Sequence, residues 1–457
     1  MQVFERRSLM PAAAEEVYDW HLRPGSFARM TPPWNRIRVL ERTGSGFEDG
    51  ARLVFEVKLG PVWRRWVAEH HGDVPGRQFA DRQVEGPFRS WDHTHRFVQA
   101  EQLGSELIDH IEFTLPAGAL GDAAGGGRAR TTLEHMFRFR HARLAADLER
   151  HAFWSAQPRL TVAINGSSGL IGSHLADYLS TAGHRVIKLV RRPAAGPDEV
   201  TWDPAAGLLD PAALAGVDAI VNLAGESIAG VWTTSKRQAI MASRLQATRT
   251  LVTAIAAMDT PPKVLVSASA VGAYGSLGGE GVTEETALGE GFLADVCRAW
   301  EAAAQPAADS GVRVVNPRFG IVVSAAGGAV AAMLPAFKAG AGARLGSGDQ
   351  YWAWVDLDDL LAAVEWILHD GELSGPVNVT APEPVTNHEF TKTLGRVLHR
   401  PAALAAPSFV LRHGLGGMGD EMFLASQRAV PAKLRARDFR FGFAELENAL
   451  RFELGKG

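Results

Sequence analysis

Cysteine is all but absent from this 457-residue chain. Cys297 stands alone, so no intrachain disulfide and no cysteine-based zinc site can form. Tyrosine is scarce too, with four residues. No apolar run approaches the ~18–20 residues that span a bilayer. The opening Met1-Gln2-Val3-Phe4-Glu5-Arg6-Arg7 has no apolar stretch of the secretory kind, so a cytoplasmic location is expected. Charge of one sign is lacking as well: 47 Lys plus Arg stand against 51 Asp plus Glu, which argues against a nucleic-acid-wrapping protein. What is there, 46% apolar and 21% charged residues, is enough for buried cores and unlike a disordered chain.

The pattern splits into two halves. Residues 37–41, 52–59, 63–69, 90–99, 106–115 and 129–140 read as short strands, several rich in β-branched and aromatic side chains. Residues 13–21 and 142–154 read as helices, and the Gly/Ala-rich stretch 116–127 as an exposed hairpin loop. After Pro158 apolar strand-like runs alternate with helical ones, at 160–165, 170–181, 185–191, 219–224, 236–257, 263–267, 295–310 and 312–318. That alternation predicts βαβ units and a parallel sheet covered on both faces. Residues 1–155 and 156–457 are therefore expected to be separately foldable domains with few contacts between them.

One loop carries chemistry. Gly166-Ser-Ser-Gly169-Leu-Ile-Gly172 follows a strand and opens a helix, where glycines let the backbone turn and approach a pyrophosphate at the helix N-terminus. The next strand ends in Arg191-Arg192, where an NAD-preferring site usually places an acid. The planar fork of arginine suits a 2′-phosphate, so NADP(H) is the expected cofactor.

Ordered motifs extend the pattern: Val221-Asn-Leu-Ala-Gly-Glu226, Ser243-Arg244-Leu245, Val266-Ser-Ala-Ser-Ala-Val-Gly-Ala-Tyr-Gly275, Arg318-Phe-Gly-Ile-Val322 and Pro376-Val-Asn-Val-Thr-Ala381. On these segments the second half resembles the extended short-chain dehydrogenase/reductases, in particular the "epimerase family protein" branch related to nucleoside-diphosphate-sugar epimerases. Residues 395–457 resemble that branch's C-terminal segment. The resemblance implies that Gly166, Ser168, Gly169, Leu170, Ile171 and Gly172 hold the pyrophosphate and that Arg191 and Arg192 hold the 2′-phosphate. It also places Leu223, Ala224, Gly225, Arg244, Ser267 and Val322 along the cofactor. Pro11-Ala-Ala-Ala-Glu-Glu-Val-Tyr-Asp-Trp-His21, Gly86-Pro87-Phe88 and Trp91-Asp-His-Thr-His95 resemble the SRPBCC, or polyketide-cyclase-like, domains, which enclose an apolar cavity. The fold implied is an α/β Rossmann domain, with a doubly wound parallel sheet, preceded by an α+β helix-grip domain.

Short-chain dehydrogenases generally move protons with a Tyr-x-x-x-Lys pair. Four residues after Tyr18, Tyr178, Tyr274 and Tyr351 stand Leu22, Ala182, Gly278 and Val355, so no pair exists. Aligning Glu301 with the family motif puts Leu293 and Cys297 at the two positions. Ser269, Tyr274 and Glu226 remain as catalytic candidates, with Asp356 and Asp358 behind them. For Cys297, apolar neighbours predict an unreactive thiol. The expected function is an NADP(H)-dependent oxidoreductase or epimerase-like enzyme of unknown small-molecule substrate, fused to a hydrophobic-ligand-binding domain. A non-catalytic NADP(H)-binding sensor or adaptor is the alternative, and the oligomeric state stays open. His93 and His95 share a strand face, and Glu69 or Glu134 is the carboxylate considered beside them. No metal motif is present, and no metal is assigned.

Overall fold

A computed structural model of the chain describes residues 1–44, 46–100 and 104–456. The first half is built on seven antiparallel strands: β1 (Gln2–Met10), β2 (Ile37–Arg42), β3 (Arg52–Leu59), β4 (Val62–Val74), β5 (Gln78–Glu85), β6 (Ser90–Gln99) and β7 (Ser105–Thr114). Their order is β1-β7-β6-β5-β4-β3-β2, so the first strand pairs with the last. Helices α1 (Ala14–Leu22) and α2 (Ser26–Met30) follow β1, and α3 (Ala119–Phe153) packs along β1 and β7.

Residues 116–140 depart from the sequence reading. No hairpin loop and strand occur there, because α3 runs unbroken for 35 residues. Buried Leu133, Phe137, Leu144 and Leu148 recur at helical spacing and fill the sheet side. Phe139 mimics strand alternation with Phe137, yet it faces the other half and stacks on Phe452 with centroids 4.7 Å apart.

The second half is a parallel sheet: β8 (Thr161–Asn165), β9 (Arg185–Val190), β10 (Glu199–Thr201), β11 (Ala219–Asn222), β12 (Val264–Ser267) and β13 (Ser269–Ala270), then Arg313–Phe319 and Gly375–Val379. The order β10-β9-β8-β11-β12 continues through Arg313–Phe319, which also pairs with β13 and with Gly375–Val379. Helices α4 (Leu170–Thr181), α5 (Thr234–Ala256), α6 (Phe292–Ala304) and α8 (Leu357–His369) pack on it, while α7 (Gly328–Lys338) packs against the short strand Ile321–Val323. One core joins the sheet to α4 and α8, and another joins it to α5. The chain runs outward from β8 through β9 to β10 and then returns to lay β11 on the other side of β8. That reversal opens a crevice at the strand C-termini. No helix among the described residues is long and apolar enough to cross a membrane.

Contacts between the halves are extensive, contrary to the sequence expectation. Arg29, 1% exposed, clamps Asp147 at 2.6 and 2.8 Å and reaches Asp358 of α8 at 2.8 Å. Arg143 of α3 bonds Asp358 at 2.8 Å and Glu453 at 3.1 Å, and Arg150 bonds Asp359 at 2.6 Å. Phe153 stacks on Trp366 beside them. Periodicity within each half reveals a core but says nothing of ion pairs between residues more than a hundred positions apart.

Candidate functional site

The crevice is held open by a buried polar brace. Asn165, at the end of β8, donates to Asn222 Oδ1 (2.7 Å), and its own Oδ1 accepts from the backbones of Leu223 (2.6 Å) and Ala224 (2.9 Å). Asn222 donates in turn to Thr248 and Ser267 at 2.8 and 3.0 Å. Neither asparagine was singled out from sequence. Their only local signal is a polar residue closing an otherwise apolar strand.

Three glycines shape the loop on this brace. Gly166 has φ +65°, and a Cβ there would sit 2.8 Å from the Leu223 backbone. A Cβ on Gly172 would sit 2.3 Å from Gly166 O. Gly169 caps α4 without a side-chain hydrogen bond, so the first N–H groups of α4 are left for an anion. Ser168 and Gly169 are exposed, whereas Leu170, Ile171, Leu223, Ala224 and Val322 are half-buried along the same rim. Arg244 lies across it, donating to the carbonyls of Glu226 (3.0 Å) and Ile240 (3.1 Å), with its guanidinium against Gly225 and over Trp300.

The two arginines of the second strand separate. Arg192 forms an exposed bidentate pair with Glu199 at 2.6 and 2.7 Å. Arg191 is exposed and makes no hydrogen bond or ion pair among the described residues. Ser267 departs from expectation: its side chain is fully buried and accepts from Asn222, making it part of the brace.

The catalytic candidates fare differently. Tyr274 is wholly buried, donating to Asn378 (2.7 Å) and accepting from Arg318 (2.9 Å), so it is a strut between elements. Glu226 accepts from Lys236 at 2.7 Å, and that bond holds its carboxyl below the usual range, a poor state for a proton donor. Ser269 donates to Glu301 (2.6 Å), which Arg318 grips through two nitrogens at 2.8 Å. Leu293 and Cys297 sit one turn apart on α6, Leu293 against Gly272 and Cys297 against Ala270. Burial pushes the Cys297 thiol up. A place for the pair exists, and its chemistry does not.

Asp358 belongs to the junction between the halves. Burial alone would push its carboxyl up, but Arg143, Arg29 and Arg150 outweigh it and hold it well below the usual range. Asp356 caps α8, accepting from Asp358 N at 2.9 Å, while its other oxygen is buried without a partner. Burial, then the Glu453, Asp358 and Asp359 carboxylates, push it well above its ordinary value. A raised pKa contributes stability below the unfolded value of about 3.9 that is lost as pH rises toward the folded pKa. Asp356→Asn keeps the cap and needs no proton. In urea unfolding its advantage over wild type should be small at pH 4 and grow steadily toward pH 8. An equal difference at both pH values would mean that Asp356 is ionised throughout.

The first half holds a separate cavity of about 570 Å³ between its helices and sheet. Phe47, Phe55, Phe79, Trp66 and Trp91 line it, with His21, Asp81, His93 and His95. Burial alone would lower His93, but bonds to Asp109 and Asp81 outweigh it and hold the ring up at about 9. His95 falls to about 4 through burial and the neighbouring His93. Glu69 and Glu134 are not part of this cluster: Glu69 is bound by Arg82 and Arg52, and Glu134 is exposed on α3.

Comparison with known proteins bears on both halves. Residues 162–380 match the NAD dependent epimerase/dehydratase family, 10–147 the polyketide cyclase / dehydrase and lipid transport family, and 406–453 a domain of unknown function. An epimerase family protein of Mycobacterium bovis is 45% identical over 292 residues, 64% of this chain and 96% of its own length. The chain belongs to the epimerase family. Its Bos taurus member, epimerase family protein SDR39U1, is 36% identical over 298 residues, 64% of this chain and 99% of that protein. Among solved structures, the nucleoside-diphosphate sugar epimerase from Corynebacterium glutamicum is similar at 34% identity with a TM-score of 0.81. It covers 99% of this chain and 90% of its own, so the likeness reaches both halves. Human epimerase family protein SDR39U1 (isoform 2), solved with NADPH, is 33% identical with a TM-score of 0.59, covering 64% of this chain and 98% of its own. The expected Rossmann and helix-grip architectures are both present.

Proposed function

We propose that this epimerase-family protein binds NADP(H) in the β8–β11 crevice and acts as an NADP(H)-dependent oxidoreductase or sugar-nucleotide epimerase-like enzyme. Its first half takes a hydrophobic ligand. The observation that carries the reading is the close approach of Gly166 to the Leu223 backbone at the topological reversal, with the uncapped start of α4 beside it. The NADPH held by the human relative supports the same choice. Gly166, Ser168, Gly169 and the first N–H groups of α4 would hold the pyrophosphate, and Arg191 the 2′-phosphate. Arg244 would close over the rim near Gly225, and Val322 would flank the nicotinamide end. The bound cofactor supplies or accepts a hydride.

Proton transfer falls to Ser269 in this reading. Its hydroxyl is oriented by Glu301, and the Arg318 clamp keeps that carboxylate fixed and paired. Leu293 and Cys297 in place of the Tyr/Lys pair favour a second reading, a binding protein that senses NADP(H) without turnover. Single-turnover absorbance at the nicotinamide band, over ketones and sugar nucleotides, separates the two.

Cofactor choice is testable on its own. Wild type should bind NADPH at least 10-fold more tightly than NADH, the effect of one charge-assisted phosphate contact. Arg191→Glu should abolish that preference in fluorescence titration, while Arg192→Gln should change it less than about 3-fold because Arg192 is already held by Glu199. Equal affinity of the wild type for the two cofactors would refute the assignment.

A further inference from the structure

The polar wall of the N-terminal cavity is more ordered than a set of buried imidazoles requires. His93 and His95 lie two apart on β6 and point to one face, and Asp81 is the cross-strand partner of His93 on β5. Three ligand atoms converge there. Asp81 Oδ2 lies 3.4 Å from His93 Nδ1 and 3.9 Å from His95 Nε2, and all three atoms fall within 4.8 Å of one another. A divalent ion bonded at about 2.1 Å holds its ligand atoms roughly 3.0–3.4 Å apart at tetrahedral or octahedral angles, so small side-chain shifts suffice.

Behind them stands one carboxylate. Asp109 of β7, fully buried, faces the opposite nitrogen of each ring: His93 Nε2 at 2.8 Å and His95 Nδ1 at 2.5 Å. At His95 the contact is a close approach rather than a directed hydrogen bond, and the ring stacks on Phe79 with centroids 4.2 Å apart. His141 of α3 fixes the other Asp109 oxygen at 2.5 Å. A carboxylate behind an imidazole, turning the free nitrogen forward, is the arrangement that orients metal-binding histidines. In front, Asp81 and both rings line the cavity, and His21, nine-tenths buried, adds an Nε2 without a hydrogen-bond partner to the same wall.

We propose that Asp81, His93 and His95 form a binding site for a divalent transition-metal ion of the zinc or iron(II) class, open on its remaining positions to the aromatic cavity. Two imidazoles and a carboxylate on one side of the ion leave the other side free for a ligand. That ligand is a small aromatic or polycyclic molecule with an oxygen donor: Phe47, stacked on Phe79 at 3.7 Å, and Trp66, stacked on Phe55 at 5.6 Å, supply flat apolar walls around the polar end. The site uses residues of the first half alone and stands apart from the reading of the nucleotide crevice.

Full-length protein, stripped with chelator, is titrated with Co²⁺ and followed by its visible absorption, with Zn²⁺ as competitor. One equivalent should bind, Zn²⁺ should displace it, and catechol should perturb the spectrum by entering the open positions. Asp81→Asn and His95→Gln should each weaken Co²⁺ binding at least 100-fold, and Asp109→Asn about 10–100-fold. His71→Gln, on the neighbouring strand face beside Asp92, should leave it unchanged. Circular dichroism and melting of each variant report whether it folds, and either ligand variant suffices if the other does not. No stoichiometric binding by wild type, or equal binding by a folded Asp81→Asn or His95→Gln variant, overturns the site, and a spectrum indifferent to millimolar catechol overturns the ligand class.

Discussion

Arg29→Met should lower the unfolding free energy by about 3–5 kcal/mol, the cost of leaving a buried partner charge uncompensated. Arg29 holds both oxygens of Asp147, which is wholly buried, and also bridges to Asp358 in the other half. Asp358 keeps Arg143 after the substitution, but Asp147 has no other ion pair among the described residues. The loss therefore centres on Asp147. Arg29→Met combined with Asp147→Asn removes both charges and should recover at least half of it. The exposed pair Arg185–Asp198 is the comparison: Arg185→Met should cost less than about 1 kcal/mol, as surface pairs do. Urea unfolding followed by tryptophan fluorescence reads all three. A loss for Arg29→Met as small as that for Arg185→Met would show that water reaches the junction and screens it.

This junction marks where sequence reasoning stops. The glycine loop was legible because every requirement is local: a strand, a tight turn, a helix start. The parallel sheet was legible because its strands are short apolar runs separated by helices. Arg29, Asp147 and Asp358 were not, since each alone is an ordinary charged residue and only the docking of α2, α3 and α8 brings them together. Asn165 and Asn222 were missed for a related reason, as their role exists only once β8 and β11 are neighbours. Asp81 is the most instructive omission. Sequence spacing placed His93 and His95 on one face, but the identity of the facing carboxylate depends on the β5–β6 register, and β5 itself was not anticipated. Tyr274 and Ser267 show the converse, where a motif position was legible and its burial was not.

The second large effect concerns the loop itself. Gly172→Ala should weaken NADPH binding at least 100-fold, although alanine is the mildest substitution available and a good helix former. An added Cβ would stand 2.3 Å from Gly166 O and 2.8 Å from Gly166 C, both backbone atoms, so no side-chain rotation relieves the clash. Either α4 retreats or the Gly166 turn lifts, and the turn is already packed against Leu223 at 2.8 Å from where its own Cβ would stand. Each movement takes the first N–H groups of α4 away from the pyrophosphate position, and misplaced donors lose most of a charge-assisted bond. Gly169→Ala is the internal control. Its Cβ would meet Gly166 O at 3.3 Å, a contact that a few tenths of an ångström relieve, and its φ of −78° suits alanine. That variant should bind within about 10-fold of wild type, since it keeps the backbone path and every N–H. Titration of both variants at matched melting temperature separates loop geometry from general destabilisation. Gly172→Ala binding within 3-fold of wild type would mean that the pyrophosphate does not rest on this helix start, and the cofactor assignment would fall with it.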